Sequence, residues 1–351
     1  MTDRPVNLFS DTQTRPSTAM RRAMAEAEVG DEQRALDPTT LRLEARVAEL
    51  LGHEAAVFLP SGTMCNVIAF RLHLRPGGDE AILAANSHPV NFEAGSPATL
   101  AHAMTRQLDA PTGIFGADEL EAAVRPPGDR YAPRSRLVSV ENTTNHGGGR
   151  LWPLQTIEEV LEVARRHGLR AHLDGARLMN AVVASGIAAA AYAGGFDTAW
   201  IDFSKGLGAP AGAVLAGSRE LIEEAWRHKQ MLGGALRQSG MLAAGCLFAL
   251  DKHVDRLVED HEHAQLLAEG LAKLPGVEVD PASVDTNIVI FGVADAPAVA
   301  ARLEAAGVQV IALGPRRLRA VTHRDVDRRE IYRALNGFRQ VLGMQPASRT
   351  L

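Results

Sequence analysis

Only two cysteines occur in 351 residues, Cys65 and Cys246, with no CxxC pair and no evenly spaced framework. That scarcity excludes a fold held by disulfides and fits a reducing compartment. No apolar run is long enough to span a bilayer. The longest small-apolar stretch, from Ala181 to Gly195, is mostly alanine and is broken by Ser185 and Gly186, so it reads as a packed helix and its loop. The opening MTDRPVNLFSD has an arginine but no apolar segment or small-residue cleavage site behind it, which argues against a signal peptide and for the cytoplasm. Basic residues do not cluster, and a net charge of -5 is close to balance for this length, so no nucleic-acid partner is expected. Metal spacing is missing as well: His261 and His263 stand two apart on a predicted helix and point to different faces. Internal repeats, low-complexity tracts and long linkers are also lacking.

What the chain does have is apolar content. With 46% hydrophobic and 23% charged residues it can bury a large core. Between about residues 50 and 220, short β-rich runs (AAVFLP, EAILAAN, SRLVSVEN, LRAHLDGAR, TAWIDFS, AGAVLAG) alternate with helical stretches or loops. That alternation predicts an α/β fold with a mostly parallel sheet wrapped by helices. One helix is readable in detail. Thr156 and Glu159 have capping-box spacing, Ile157, Val160, Leu161 and Ala164 recur at helical intervals, and Gly168 stands where a C-terminal glycine cap belongs. The strand after it ends at Asp174, and the carboxyl ends of strands are where open α/β sheets bind ligands. After about residue 240 the pattern changes to a long helical stretch, then strand-like TNIVIFGV and VQVIAL, RRLRAVTH and a last helix. The division drawn from this is an N-terminal arm over 1–15, a large domain over 16–240 and a smaller α+β domain over 241–351, in keeping with roughly 100 to 200 residues per domain.

Four segments carry chemistry. Lys205, in SKGLGAP, follows the apolar run AWIDF and precedes a glycine-rich turn, a position where an amine can be desolvated as a Schiff-base lysine requires. The nearby Gly206, Gly208 and Gly212 do not make a dinucleotide fingerprint, because the third glycine falls one residue late. Asp174, in HLDGAR, is suited to bond a pyridinium nitrogen and keep it protonated, although an aspartate before glycine also caps ordinary turns. In PSGTMCN, the small residues Ser61, Gly62 and Thr63 open a helix whose N-terminus can take a phosphate or be an ordinary cap. His88, in NSHPVNFEAG, can stack on a ring or move a proton near neutral pH.

Together with LFSDTQTRPS, DPTTLRLEARVAELLG, ENTTNHGGGRLWPL, MLGGALRQSG, DTNIVIF and LRAVTHRDV, these segments resemble the low-specificity L-threonine aldolases, a branch of the fold-type I pyridoxal-phosphate enzymes, over nearly the whole chain. The resemblance implies pyridoxal 5'-phosphate bound to Lys205, with Asp174 at the ring nitrogen and His88 stacked on the ring. Gly62 and Thr63 would hold the phosphate, with Arg237 reaching from a neighbouring subunit. Ser10, Arg177 and Arg319 would bind the amino acid's carboxylate, a task suited to guanidinium forks. It also implies a homotetramer of tight dimers.

The activity implied is retro-aldol cleavage of L-threonine, L-allo-threonine and related β-hydroxy-α-amino acids to glycine and an aldehyde. The base would be His88 or a water held by neighbours such as Thr144. Several positions depart from the family pattern. Thr144 stands where many members have a second active-site histidine, Arg34 and Ala35 replace a tyrosine and a glycine, Gln230 replaces a frequent lysine, and HPVNFE lacks the usual tyrosine. These departures motivate two alternatives, a lyase for a bulkier β-hydroxy amino acid or one acting by β-elimination. A non-catalytic cofactor-binding relative is a third, opposed by the intact Lys205 and Asp174.

Overall fold

The structure is a computed structural model that describes residues 4–343. The first three residues of the arm and the last eight of the small domain drawn from the sequence lie outside the described residues. The chain forms two compact units, one of Arg15–Val254 and one that takes the chain up to Thr14 and from Asp255 onward. In chain order the strands are β1 (Val6–Asn7), β2 (Ala55–Leu59), β3 (Asp79–Ala84), β4 (Met104–Leu108), β5 (Arg134–Glu141), β6 (Arg170–Gly175), β7 (Thr198–Asp202), β8 (Ala213–Gly217), β9 (Ile288–Gly292), β10 (Val308–Gln309), β11 (Ile311–Ala312) and β12 (Arg317–Val321). The helices are α1 (Thr18–Ala25), α2 (Pro38–Leu51), α3 (Gly62–His73), α4 (His88–Asn91), α5 (Ser96–Thr99), α6 (Ala117–Ala123), α7 (Leu154–Arg166), α8 (Leu178–Ser185), α9 (Ala189–Ala193), α10 (Arg219–Met231), α11 (Gly240–Lys252), α12 (Leu257–Leu271), α13 (Ala296–Ala305) and α14 (Arg328–Leu342).

The larger unit is built on a seven-stranded sheet of order β2-β8-β7-β6-β5-β3-β4. Strands β3 to β7 run parallel, and β8 is antiparallel to both β7 and β2. The six runs picked out by their apolar and β-branched content are all strands of this sheet. The seventh, β4, reads MTRQL, and its half-polar pattern follows from its place at the sheet edge, where one flank stays open to solvent. Helices α3 and α10 cover one region through Val57, Leu59, Ile68, Trp200, Leu215 and Ile222, all buried. In the smaller unit β9, β11 and β12 form an antiparallel sheet, β1 pairs with β10 in parallel, and α12, α13 and α14 supply the apolar cover.

Two local expectations need correction. Helix α7 starts at Leu154 with Pro153 at its N-cap, so Thr156 lies inside the first turn and forms no capping box; Glu159 instead accepts from Gln155 Nε2 at 2.9 Å. Pro153 occupies the N-cap with its φ fixed at -60°, and the first turn carries no side-chain cap. Its other end is as expected. Gly168 has φ +64°, and the N–H groups of Gly168 and Leu169 bond back to Arg165 and Ala164, the glycine-terminated Schellman arrangement. The long helical stretch after residue 240 is two helices, α11 and α12. The chain breaks at His253, whose ring bonds the Leu207 carbonyl at 2.6 Å. Helix α11 packs on α1 and α2 in the larger unit.

Candidate active site

The parallel strands place their carboxyl-end residues along one rim. Asp174 is the last residue but one of β6, and its register partner in β7 is Trp200. Five residues beyond Trp200, Lys205 follows the end of β7. Its ammonium group ion-pairs with Asp202 and lies 5.7 Å from the centre of the Trp200 ring. Asp202 is held in turn by the Ser204 N–H at 2.8 Å and the Ser204 hydroxyl at 2.7 Å. Helix α3 begins against the same indole: a Cβ on Gly62 would sit 2.3 Å from the Trp200 ring, so only glycine fits. Ser61 caps this 12-residue helix through the Met64 N–H. The first-turn N–H groups of Gly62 and Thr63 have no partner within the helix ladder and are free to meet an anion.

Asp174 is 1% exposed. One oxygen accepts from the Ala176 N–H at 3.1 Å and the other from Asn66 Nδ2 at 2.8 Å. Burial, reinforced by the Glu141 charge, pushes its pKa up to about 7, against the opposing pull of His88 and Asn66. Among the described residues no cation forms an ion pair with this carboxylate. A desolvated carboxylate without a cation fits a protonated ring nitrogen, which would complete its coordination.

His88 is joined to Asp174 through two residues that the sequence reading did not single out. Its Nδ1 bonds Glu93 Oε1 at 2.9 Å, and the same oxygen accepts from Asn66 Nδ2 at 2.7 Å. Its backbone N–H donates to Glu141 at 2.7 Å. Burial disfavours the imidazolium, but the Glu93 hydrogen bond and the charges of Asp174, Glu93 and Glu141 prevail, and the pKa is raised above its ordinary value. Phe92 lies between two histidines, 5.7 Å from the His88 ring and 4.4 Å from that of His146.

The other expected site residues stand as follows. Arg177 is buried at the start of α8. Thr144 is 2% exposed, its hydroxyl accepts from the Arg150 N–H at 3.2 Å, and it presses against Gly113. Arg237 is largely exposed and pairs with Asp31 at 3.3 Å. Ser10 and Arg319 belong to the smaller unit; Ser10 caps a short turn over Asp11–Gln13, and Arg319 is buried on β12. The larger unit thus gathers Lys205, Asp174, His88, Gly62 and Thr63 around Trp200 and Asn66. The signal that would have revealed Asn66 is an amide in the otherwise apolar run Cys65 to Phe70.

The fold is that of the fold-type I pyridoxal-phosphate enzymes, and residues 7–295 match the family model of the beta-eliminating lyases, which makes the chain a lyase of that class. Over its full length the chain is 40% identical to low-specificity L-threonine aldolase 1 of Arabidopsis thaliana, covering 100% of both proteins. It is 39% identical to the low specificity L-threonine aldolase of Escherichia coli K12, over 93% of this chain and 96% of that protein. The structure of a Leishmania major threonine aldolase superposes with a TM-score of 0.82 at 21% identity, covering 96% of this chain and 100% of that one. The chain belongs to the low-specificity L-threonine aldolase family.

Proposed function

We propose that this protein cleaves L-threonine and L-allo-threonine to glycine and acetaldehyde, with pyridoxal 5'-phosphate held on Lys205. The observation that carries the reading is the placement of Lys205 and of a buried Asp174, with which no cation among the described residues forms an ion pair, at the carboxyl ends of adjacent parallel strands beside Trp200 and Asn66. Bound pyridoxal phosphate supplies a sink for the electron pair released when the Cα–Cβ bond breaks. The residues do the rest. Asp174 would hold the proton on the ring nitrogen, and the N–H groups of Gly62 and Thr63 would receive the phosphate, joined by Arg237 of a neighbouring subunit. By the family resemblance His88 would stack on the ring. The amino acid's carboxylate falls by family resemblance to Arg177, Ser10 and Arg319. The proton of the β-hydroxyl passes to His88 or to a water held near Thr144.

A homotetramer in the cytoplasm goes with this reading; two buried free cysteines and the family resemblance support it. No described helix is long and apolar enough to cross a membrane. Incubating the purified holoenzyme with L-threonine should yield acetaldehyde and glycine in equal amounts, and borohydride reduction followed by peptide mapping should place the pyridoxyl group on Lys205. If threonine is inert while a bulkier β-hydroxy amino acid is cleaved, the substrate is wrong. A pyridoxyl group on another lysine would make the whole site wrong.

A further inference from the structure

Behind Asp174 runs a chain of buried polar groups inside the larger unit. His73 Nε2 meets the Thr198 hydroxyl at 2.9 Å, and that hydroxyl meets His172 Nδ1 at 2.8 Å. His172 Nε2 meets Asn66 Oδ1 at 3.1 Å, and Asn66 Nδ2 meets both Asp174 and Glu93. Thr198, His172, Asn66 and Asp174 are all 4% exposed or less.

The direction of every hydrogen bond in this chain follows from donor and acceptor inventory. The Trp200 indole N–H, a donor only, points at Asn66 Oδ1 at 2.9 Å. That fixes the amide: Oδ1 accepts, and Nδ2 donates to the two carboxylates, whereas a flipped amide would set donor against donor and oxygen against carboxylate. His172 must then carry its proton on Nε2 to reach Oδ1. It is fully buried, and burial, with His73 nearby, drives its pKa down to about 3 against an opposing backbone hydrogen bond at Thr198, so it stays neutral. Its Nδ1 is therefore bare and accepts the Thr198 hydroxyl proton. That hydroxyl in turn accepts from Nε2–H of His73, a ring whose pKa burial lowers to about 4 despite Asp197 nearby.

We propose that His73, Thr198, His172 and Asn66 form a one-way hydrogen-bond relay whose donors all point toward Asp174, and that Thr198 and His172 are positioning residues for that carboxylate. The inference rests on the assignment of Asp174 to the ring nitrogen. In a low-dielectric interior, aligned donors polarise one another, so the chain stabilises negative charge on Asp174 where burial and the facing Glu141 and Glu93 oppose it. His88 meets the same Glu93 oxygen that Asn66 meets, and its pull on Asp174 works with the relay rather than against it. An anionic Asp174 is the form that keeps a ring nitrogen protonated.

The test uses nitrogen NMR of the holoenzyme. With 15N-labelled histidine, His73 and His172 should both show a protonated Nε2 and a bare Nδ1 between pH 6 and 8. With cofactor labelled at the ring nitrogen, the wild-type signal should be that of a protonated pyridine. Thr198→Val, nearly isosteric, should move the ring-nitrogen signal toward the neutral form and lower kcat by about fivefold, the effect of one neutral hydrogen bond, with KM little changed. Thr198→Ser should restore the signal. A His172 proton on Nδ1, or a ring-nitrogen signal that Thr198→Val leaves unmoved, would overturn the relay. An unprotonated ring nitrogen in the wild type, whatever the histidines show, would instead overturn the Asp174 assignment beneath it.

Discussion

Thr144 shows how a single side chain can be placed by its loop. Its hydroxyl already accepts the Arg150 N–H, its methyl packs on Gly113, and a Cβ at Gly147 would collide with it. Such a hydroxyl is less free than a histidine ring to reach a substrate oxygen, and this bears on stereochemistry. Three attachment points define the α-carbon once the carboxylate is clamped, so D-threonine should not be cleaved. The β-carbon has fewer rigid donors around it. Discrimination between L-threonine and L-allo-threonine should therefore stay near 1 to 2 kcal/mol, about five- to thirtyfold in kcat/KM. Kinetics on both isomers decide this, and a thousandfold preference would mean that another residue fixes the hydroxyl.

At the scale of an element, helix α2 shows how a secondary structure is tied into the larger unit by its buried carboxylates. Asp37 caps it and accepts three N–H groups, from Thr40 at 2.9 Å and from Gly30 and Gly240 at 3.0 Å each. Glu44, on the same helix, accepts from the Phe58 N–H at 2.8 Å and is so buried that its pKa rises from 4.5 to about 7. The two carboxylates respond oppositely to pH. Burial opposes the charge of Asp37, but its three backbone donors prevail and lower its pKa, so its contribution is present above the unfolded value and is lost in acid. Glu44 has the raised value, so its contribution is complete below pH 4.5 and is lost as pH climbs toward about 7. Glu44→Gln keeps the acceptor for Phe58 and abolishes that loss. The melting temperature of the variant relative to wild type should rise between pH 5 and 8, by an amount on the order of 2 kcal/mol in stability. A difference that is flat or falls with pH would show that Glu44 is ionised at no cost in the folded protein.

For the molecule as a whole, a ligand that binds only the folded state raises its stability by mass action. If Lys205, Asp174 and the first turn of α3 hold pyridoxal phosphate, adding it to the stripped protein at a hundredfold excess over Kd should stabilise by about 2.7 kcal/mol, visible in calorimetry. The rise should shrink in Lys205→Ala, which keeps the phosphate and ring contacts but not the covalent link. If the cofactor leaves the melting temperature of the wild type unchanged, it does not bind where we place it.

Much of this could be read in the chain itself. Local rules are enough to recognise six strands by their apolar runs, the glycine at the end of α7 by its position, and Lys205 and Asp174 by the apolar runs that carry them to strand ends. What stayed hidden depends on residues far apart in sequence. Asn66 and Asp174 are 108 positions apart, and Asn66 and Trp200 are 134 apart; no periodicity relates them. Strand β4 has no apolar run to mark it because an edge position lets its residues be half polar, and the capping-box spacing of Thr156 and Glu159 does not mark the start of α7 because Pro153 occupies the N-cap. Sequence alone determined which residues could do chemistry. Tertiary packing decided which of them are desolvated together, because burial and hydrogen-bond direction are properties of the assembled interior.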